Sequence, residues 1–315
     1  MERILITGGA GNIGSTLACR LVQNKNYHVV VADNLLTGSV HNLPVGYDNF
    51  TYIKCDVNNY NDLSAVMLSF RFNYVFHYAA LVGVKRTLNN PMKVLEDIEG
   101  IKNVLNLSKN TGVKRVFYSS SSEVYGEPVE FPQNEETTPL NSRLPYAVVK
   151  NVGEAFFRSY QKEYGLDFTL FRFFNTYGPK QSADFVVTKF IDLALKNQDI
   201  PIYGNGHQTR TFLYIDDNVD ATIKIFEHGL SLNDVVNIGN SKEIRIIDLA
   251  RKIIDIVGSS SSIIHFDPLK EGDMTRRQPD NSKMLSILNN DLVSIEEGIE
   301  KILNIKYKVD NKIPV

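Results

Sequence analysis

Two cysteines in 315 residues, Cys19 and Cys55, are too few for a disulfide framework or a thiolate metal site, and no metal is expected. Both read as buried thiols, Cys19 in a helix and Cys55 at a strand end. No apolar run reaches the roughly 18 to 20 residues that cross a bilayer, which argues against membrane insertion. The chain begins MERILITGGAG, straight into a strand and a glycine loop, without the basic segment and long apolar stretch of a secretory signal. A cytoplasmic address is expected. The formal net charge is only −2, so the balance of charge points to no nucleic acid or other polyanion. No internal repeat is found. What remains is ordinary globular composition, 22% charged and 43% hydrophobic, in a chain long enough for one large α/β domain with an appended lobe.

Short β-branched runs alternate with amphipathic stretches of helix length from the amino terminus onward. The expected strands are Arg3 to Thr7, His28 to Asp33, Phe50 to Asp56, Tyr74 to Ala80, Lys114 to Ser120 and Asp167 to Asn175. Continuous apolar strands separated by helices predict a parallel sheet covered on both faces, the doubly wound α/β fold. After Asn175 the pattern changes to loops rich in Gly, Asn and Gln, with helices expected at Val186 to Lys196, Asp216 to Glu227 and Ile246 to Val257. The run Val235 to Ile238 is expected to return to the sheet. Ser259 to Ser262, following Gly258, reads as a helix-to-strand loop.

Gly8, Gly11 and Gly14 form G-x-x-G-x-x-G directly after the first strand, with a helix expected from Asn12 to Val22. A pyrophosphate needs such a turn without Cβ atoms, close approach of backbone, and a helix amino terminus whose N–H groups and dipole face the anion. A tight strand-to-helix turn with no ligand needs similar glycines, so the triplet alone decides little. Asp33 adds weight, because it closes the second strand 19 residues past Gly14, where a carboxylate can hold ribose hydroxyls. It also repels a 2′-phosphate, and no Arg or Lys lies between Lys25 and Lys54 to attract one. NAD is therefore favoured over NADP. Asp56 suits the adenine amino group, or simply a solvated strand end.

Tyr146 and Lys150 make Y-x-x-x-K, which on a helix puts both side chains on one face. An ammonium beside the phenol would stabilise the phenolate and bring its pKa from near 10 toward the working pH, as a general base requires. The same pair can also be merely structural. Upstream, the fifth strand runs into Ser119-Ser120-Ser121-Ser122-Glu123-Val124-Tyr125-Gly126, at the carboxyl edge where doubly wound sheets bind ligands. A hydroxyl there can hold a substrate oxygen while Tyr146 takes its proton, although serine clusters also serve as polar loops and caps.

Together, TGGAGNIGS, Asp33-Asn34-Leu35, Ala79-Ala80, SSSSEVYG, Y-x-x-x-K, RFFNTYGP and IYGNGHQTRTFLYIDD resemble the extended short-chain dehydrogenases, and within them the nucleotide-sugar epimerases, decarboxylases and dehydratases. The resemblance covers nearly the whole chain. It implies an NAD-binding Rossmann domain over residues 1–175 and a substrate-binding lobe over 176–315, with about 233–258 returning to the sheet. It implies contacts to NAD from Gly8, Gly11, Asn12, Ile13, Gly14, Asp33, Asn34, Thr37, Gly38, Asp56, Val57, Ala79, Ala80, Val82, Tyr146 and Lys150. Ser121, Tyr146 and Lys150, with Glu123, would perform the chemistry. Ser121, Asn175, Arg210 and Arg277 would hold the nucleotide sugar, the arginines near its diphosphate, where a planar guanidinium binds phosphate in bidentate fashion. For either arginine a surface ion pair is the alternative. A homodimer is also implied.

The shared first step in these enzymes is oxidation at the sugar C4, leaving a 4-keto sugar. Epimerases return the hydride to the other face, decarboxylases lose a C6 carboxylate, and dehydratases expel the C6 oxygen. Dehydratases usually place an Asp where this chain has Ser122, so dehydration ranks third. Ser121-Ser122-Glu123 looks closest to the decarboxylases, but Tyr146-Ala147-Val148-Val149-Lys150 lacks their acidic, glycine-containing interior, and Gln181 to Val187 offers no arginine for a uronate. A 4-epimerase is therefore placed ahead of a decarboxylase. Asp97 stands where the family commonly has Asn, which puts the hydrogen bonding near Tyr146 in question. A non-catalytic NAD-binding regulator is the reading from another class; its usual mark is a missing Tyr or Lys, and both are present.

Overall fold

A computed structural model describes residues 1–267 and 276–307. Its centre is a seven-stranded, wholly parallel sheet. Six strands come from the amino-terminal half: β1 (Glu2–Thr7), β2 (Tyr27–Asp33), β3 (Phe50–Lys54), β4 (Tyr74–His77), β5 (Arg115–Ser121) and β6 (Asp167–Phe173). The order runs β3-β2-β1-β4-β5-β6, and the strand Asp234–Ile238 closes the far edge parallel to β6. The chain therefore reverses direction across the sheet between β1 and β4, the place where doubly wound folds open a crevice.

Period-2 alternation explains why the strands read as continuous apolar runs. Ile4, Ile6, Val29 and Val31 face one layer, with Leu17 and Ala18 of α1 (Asn12–Leu21), and Val219 and Ile225 further along the chain. Leu5, Val30 and Ala32 face the other, with Leu63 of α2 (Tyr60–Phe70) and Val104 of the later helix Asp97–Thr111. Both faces are dry, so each strand residue is apolar whichever way it points. Two short helices follow β4, α3 (Val84–Asn89) and α4 (Pro91–Leu95), before α5 (Asp97–Thr111). Next comes α6 (Pro145–Tyr164), which starts on Pro145, whose fixed φ suits the first helical position, and stops at Gly165 with φ +69°. Tyr146 is thereby held in the first turn of α6, beside the end of β5.

Beyond β6 the described residues form α7 (Val186–Leu195) and α8 (Ile215–Glu227), the helix Ile246–Val257, and three small two-stranded sheets. Leu213–Tyr214 pairs with Thr176–Tyr177, Glu243–Arg245 with Thr209–Thr211, and Ile263–Phe266 with Ile200–Tyr203. Ser259 to Ser262 does link a helix to a strand. Several expected strands end early. β3 stops at Lys54 rather than Asp56, and β4 at His77 rather than Ala80, because its register with β1 ends at the pair Thr7 and His77. Asp56, Ala79 and Ala80 therefore sit in loops at the carboxyl edge. Cys55 is a buried thiol as expected, whereas Cys19 is only half-buried. Among the described residues no helix is long and apolar enough to cross a membrane.

Candidate active site

The glycine loop is built partly for itself. Gly8 has φ +66°, and a Cβ there would lie 2.6 Å from the Ala79 backbone; one on Gly14 would lie 2.7 Å from the Gly8 carbonyl oxygen. These two glycines are required by chain packing on chain. Gly11 differs, because its Cβ would meet only the Gly8 oxygen, at 3.4 Å. It caps α1 and offers no side chain to the first-turn N–H groups. An open helix terminus beside a bare backbone is a cradle for an anion. At the end of β2, Asp33 accepts from the Ala10 N–H at 2.9 Å and the Leu35 N–H at 2.7 Å, tying the loop to the strand. A carboxylate offers about four acceptor sites, so capacity for ribose hydroxyls remains. Asp56 accepts from the Asn58 N–H at 3.0 Å and from Asn34 Nδ2 at 3.3 Å. These residues fit a dinucleotide.

At the end of β5 the four serines divide their work. Ser119 offers its carbonyl to Lys150 Nζ at 2.6 Å, and Ser120 donates to Glu154 at 2.6 Å, within the buried Glu154–Arg172 pair. Ser121 accepts from the Glu123 N–H at 3.2 Å, and it lies close enough to Tyr146 to favour the ionised phenol. Ser122 is buried in the turn that follows. Glu123 in turn meets Arg277 Nη1 at 2.6 Å, and that arginine is 5% exposed.

Lys150 sits 5.8 Å from the centre of the Tyr146 ring, with its ammonium against Ser119. Burial lowers its pKa to about 8, opposed by the negative charge of Asp97. Tyr146 departs from the expected depression. Burial pushes its phenol above the ordinary value, and Glu123 and Asp97 act the same way; Ser121 and Arg277 oppose them. The protein alone thus holds this phenol protonated. Asp97 uses both carboxylate oxygens as acceptors, from the Leu81 N–H at 2.8 Å and Asn58 Nδ2 at 3.5 Å. Burial raises its pKa despite the Leu81 bond and Lys150. An Asp in place of Asn therefore serves two loop contacts and gives Lys150 an anionic neighbour.

Both halves open into one cavity of about 690 Å³. Gly8, Gly11, Asn12, Ile13, Gly14, Asp33, Asn34, Thr37, Asp56, Val57, Ala79, Ala80 and Val82 line it, together with Ser121, Glu123, Tyr146, Lys150, Asn175 and Arg277. Two expected residues are not on this wall. Gly38 packs against Ala10, where a Cβ would lie 2.8 Å from the alanine methyl. Arg210, on the strand Thr209–Thr211, turns its guanidinium to the Thr209 carbonyl at 2.7 Å. The wall also includes residues the sequence reading passed over, Arg86 and Lys180 among them. Their only sequence signal is a cation shortly after a strand's carboxyl end. Among the described residues no group of three or more His, Cys, Asp or Glu is placed to hold a metal.

This geometry has close counterparts. Over 313 residues the chain is 34% identical to UDP-glucuronic acid decarboxylase 1 of Xenopus tropicalis, covering 96% of this chain and 72% of that one. It is equally identical, over 307 residues, to a putative UDP-glucose 4-epimerase of Methanocaldococcus jannaschii, covering 96% and 97%. The solved UDP-glucose 4-epimerase of Thermotoga maritima, holding UDP-glucose, superposes with a TM-score of 0.90 at 32% identity, covering 96% and 97%. The model of the NAD dependent epimerase/dehydratase family matches residues 4–239. A match of that extent, on a chain whose glycine loop opens into the same cavity as Ser121, Tyr146 and Lys150, makes this protein a member of the NAD-dependent epimerase/dehydratase family.

Proposed function

We propose that this protein is a nucleotide-sugar 4-epimerase that works through a 4-keto sugar. The observation that carries this reading is that Ser121, at the end of β5, and Tyr146 and Lys150, at the start of α6, line the cavity that the glycine loop opens. NAD, when bound, supplies the acceptor and later the donor of hydride. Gly11 and the α1 terminus would hold its pyrophosphate, and Asp33 its ribose. Tyr146, once its own phenolic proton has passed to solvent, would take the C4 hydroxyl proton as a phenolate while Ser121 holds the oxygen, and would give that proton back when the hydride returns. Lys150, charged below about pH 8, favours the phenolate at the moment it forms. Residues 176–315, apart from about 233–258, which returns to the sheet, would supply the substrate lobe, with Asn175 and Arg277 holding the nucleotide sugar.

Epimerisation is favoured because Glu123 already has a cationic partner. Paired with Arg277 and fixed in a turn, its carboxylate orders the loop rather than carrying protons. Ser122 is a neutral hydroxyl and cannot act as the acid that dehydration requires. Decarboxylation is the second reading, favoured by the likeness to a UDP-glucuronic acid decarboxylase. The test is to add UDP-, GDP-, CDP- and dTDP-sugars to the purified protein with NAD, following NADH absorbance and product mass. Unchanged mass with inverted C4 stereochemistry is expected. Loss of carbon dioxide or of water would replace this reading with decarboxylation or dehydration.

A further inference from the structure

Tyr146 and Lys150 are followed on α6 by Glu154 at the same spacing of four, which puts all three side chains on one face of the helix. That face meets the end of β5. Between Lys150 and Glu154, Gly153 lets the helix come close, since a Cβ there would collide with the Tyr118 hydroxyl. Lys150 grips β5 at the Ser119 carbonyl, at 2.6 Å, and Glu154 grips the next residue, accepting from the Ser120 hydroxyl at 2.6 Å. Ser121 comes directly after. Two successive contacts therefore set how far α6 stands along β5, and with it where Tyr146 stands against Ser121.

Glu154 is itself held from a second strand. Arg172 on β6 is the register partner of Ser120, and its Nε and Nη2 donate to the two carboxylate oxygens at 2.9 and 2.7 Å. Its Nη1 donates to the Tyr125 hydroxyl at 2.9 Å and to the Glu135 carbonyl at 3.2 Å, so the guanidinium cannot swing away. Tyr125 in turn donates to Asn237 Oδ1 at 2.7 Å, on the strand at the edge of the sheet. The side chains of Glu154 and Arg172 are each 2% exposed. Burial alone does not make such a pair a source of stability, because desolvating two charges offsets much of their attraction and apolar side chains of similar volume often serve as well. What apolar packing does not supply is direction. It tolerates a slide of the helix along the strand, whereas a carboxylate clamped at both oxygens with a third donor admits one register.

We propose that Glu154 is a positioning residue: clamped by Arg172 and bonded to Ser120, it fixes α6 on β5 in the register that sets Lys150 on Ser119 and Tyr146 beside Ser121. It stands off the cavity wall and acts through those residues; its effect on turnover rests on the proposed C4 chemistry. Two variants remove the anchor without leaving a lone charge in the interior: Ser120→Ala, which spares the ion pair, and Glu154→Met/Arg172→Met, which removes both charges together. Both are expected to slow single-turnover NADH formation at least about tenfold, with whichever of UDP-, GDP-, CDP- and dTDP-glucose the wild type oxidises. Calorimetry should show NAD and sugar bound within about threefold of wild type, because misalignment of the reacting groups lowers the rate more than the affinity. A second readout needs no turnover. In protein labelled with ¹³C at the lysine Cε, the Lys150 signal, identified by its loss in Lys150→Met, should titrate near about 8 in the wild type. In both variants its midpoint should rise by at least about half a pH unit, as water reaches the ammonium through a loosened seam. Wild-type rates with an unchanged Lys150 midpoint overturn the proposal. So does a lowered melting temperature with neither readout moved, which is what a purely structural pair would give. If the wild type oxidises no sugar, the C4 reading fails, and the Lys150 midpoint alone still decides whether Glu154 holds the seam.

Discussion

Arg277 and Glu123 meet 2.6 Å apart on the cavity wall, the arginine arriving from the carboxy-terminal part of the chain and the glutamate from the turn after β5. The guanidinium is almost fully buried, so its partner cannot be removed without leaving a charge in the interior. Removing one member of a buried pair costs about 3–5 kcal/mol, and an amide that keeps one acceptor costs less. Glu123→Gln should therefore lower the melting temperature by several degrees while slowing product formation by no more than about tenfold, since a loop-ordering carboxylate takes no proton. Melting curves and product analysis check both. Accumulated NADH with a trapped 4-keto sugar would move the assignment toward decarboxylation.

Tyr146→Phe should abolish turnover and keep nucleotide-sugar binding within a few-fold. The ring still packs in the first turn of α6, but the hydroxyl that carries the proton is gone. Loss of a positioned general base costs roughly a hundredfold to ten-thousandfold. Single-turnover NADH formation reads the step directly, and activity within a few-fold of wild type would refute the assignment of the base.

Much of this site is legible in the sequence because doubly wound folds gather strand ends at one edge. Gly11, Asp33, Ser121 and Tyr146 each follow or close an apolar run, and the parallel order brings those ends together. The helix Ile246–Val257 was expected over its full length for a similar reason, since its apolar positions recur at helical spacing and Gly258 stops it with φ +70°. Arg86 and Asp184 escape such a reading. Their helix and loop are short, without periodicity, and no local pattern pairs residues 98 apart. Arg210 is a separate case: it matches a family position, but it stands off the cavity wall on the strand Thr209–Thr211, where its Nη1 donates to the Thr209 carbonyl at 2.7 Å. The phenol of Tyr146 could not be read either, because burial is a property of the assembled fold.

Lys150 gives a pH signature. Its pKa falls from 10.5 to about 8 on burial, so between these values the unfolded chain binds this proton and the folded chain does not. Stability from this group therefore rises as pH increases through about 8 to 10.5, with a slope of at most about 1.4 kcal/mol per pH unit. The difference in unfolding free energy between wild type and Lys150→Met should climb across that window. A flat difference would mean the lysine is not held against its charge. Activity should fall earlier, as pH rises through about 8, where the folded protein loses the ammonium.

Asp33 should make the protein bind NAD at least about tenfold more tightly than NADP, because a buried carboxylate repels a 2′-phosphate. Asp33→Asn removes the repulsion but also weakens the acceptor that ties Ala10 and Leu35 to the strand end. The variant should lose both some NAD affinity and much of the discrimination. Titrations with both cofactors decide it, and equal dissociation constants in the wild type would end the argument from charge.

The glycine loop separates a structural demand from a binding one. Alanine at position 14 would drive its methyl to 2.7 Å from the Gly8 oxygen and 2.8 Å from the Gly9 Cα, backbone atoms that cannot yield cheaply. Gly14→Ala is therefore expected to destabilise the fold by about 1–3 kcal/mol or more. Alanine at position 11 meets nothing closer than 3.4 Å, and φ there is −77°, open to any residue. Its methyl would instead stand at the mouth of α1, where the pyrophosphate must approach the backbone. Gly11→Ala should fold with a near-normal melting temperature and lose NAD affinity by at least about tenfold. Thermal melts with and without NAD measure the two effects separately, since a ligand raises stability only as far as it binds. If Gly11→Ala is stabilised by NAD as strongly as wild type, the cradle is not where the cofactor's phosphates rest.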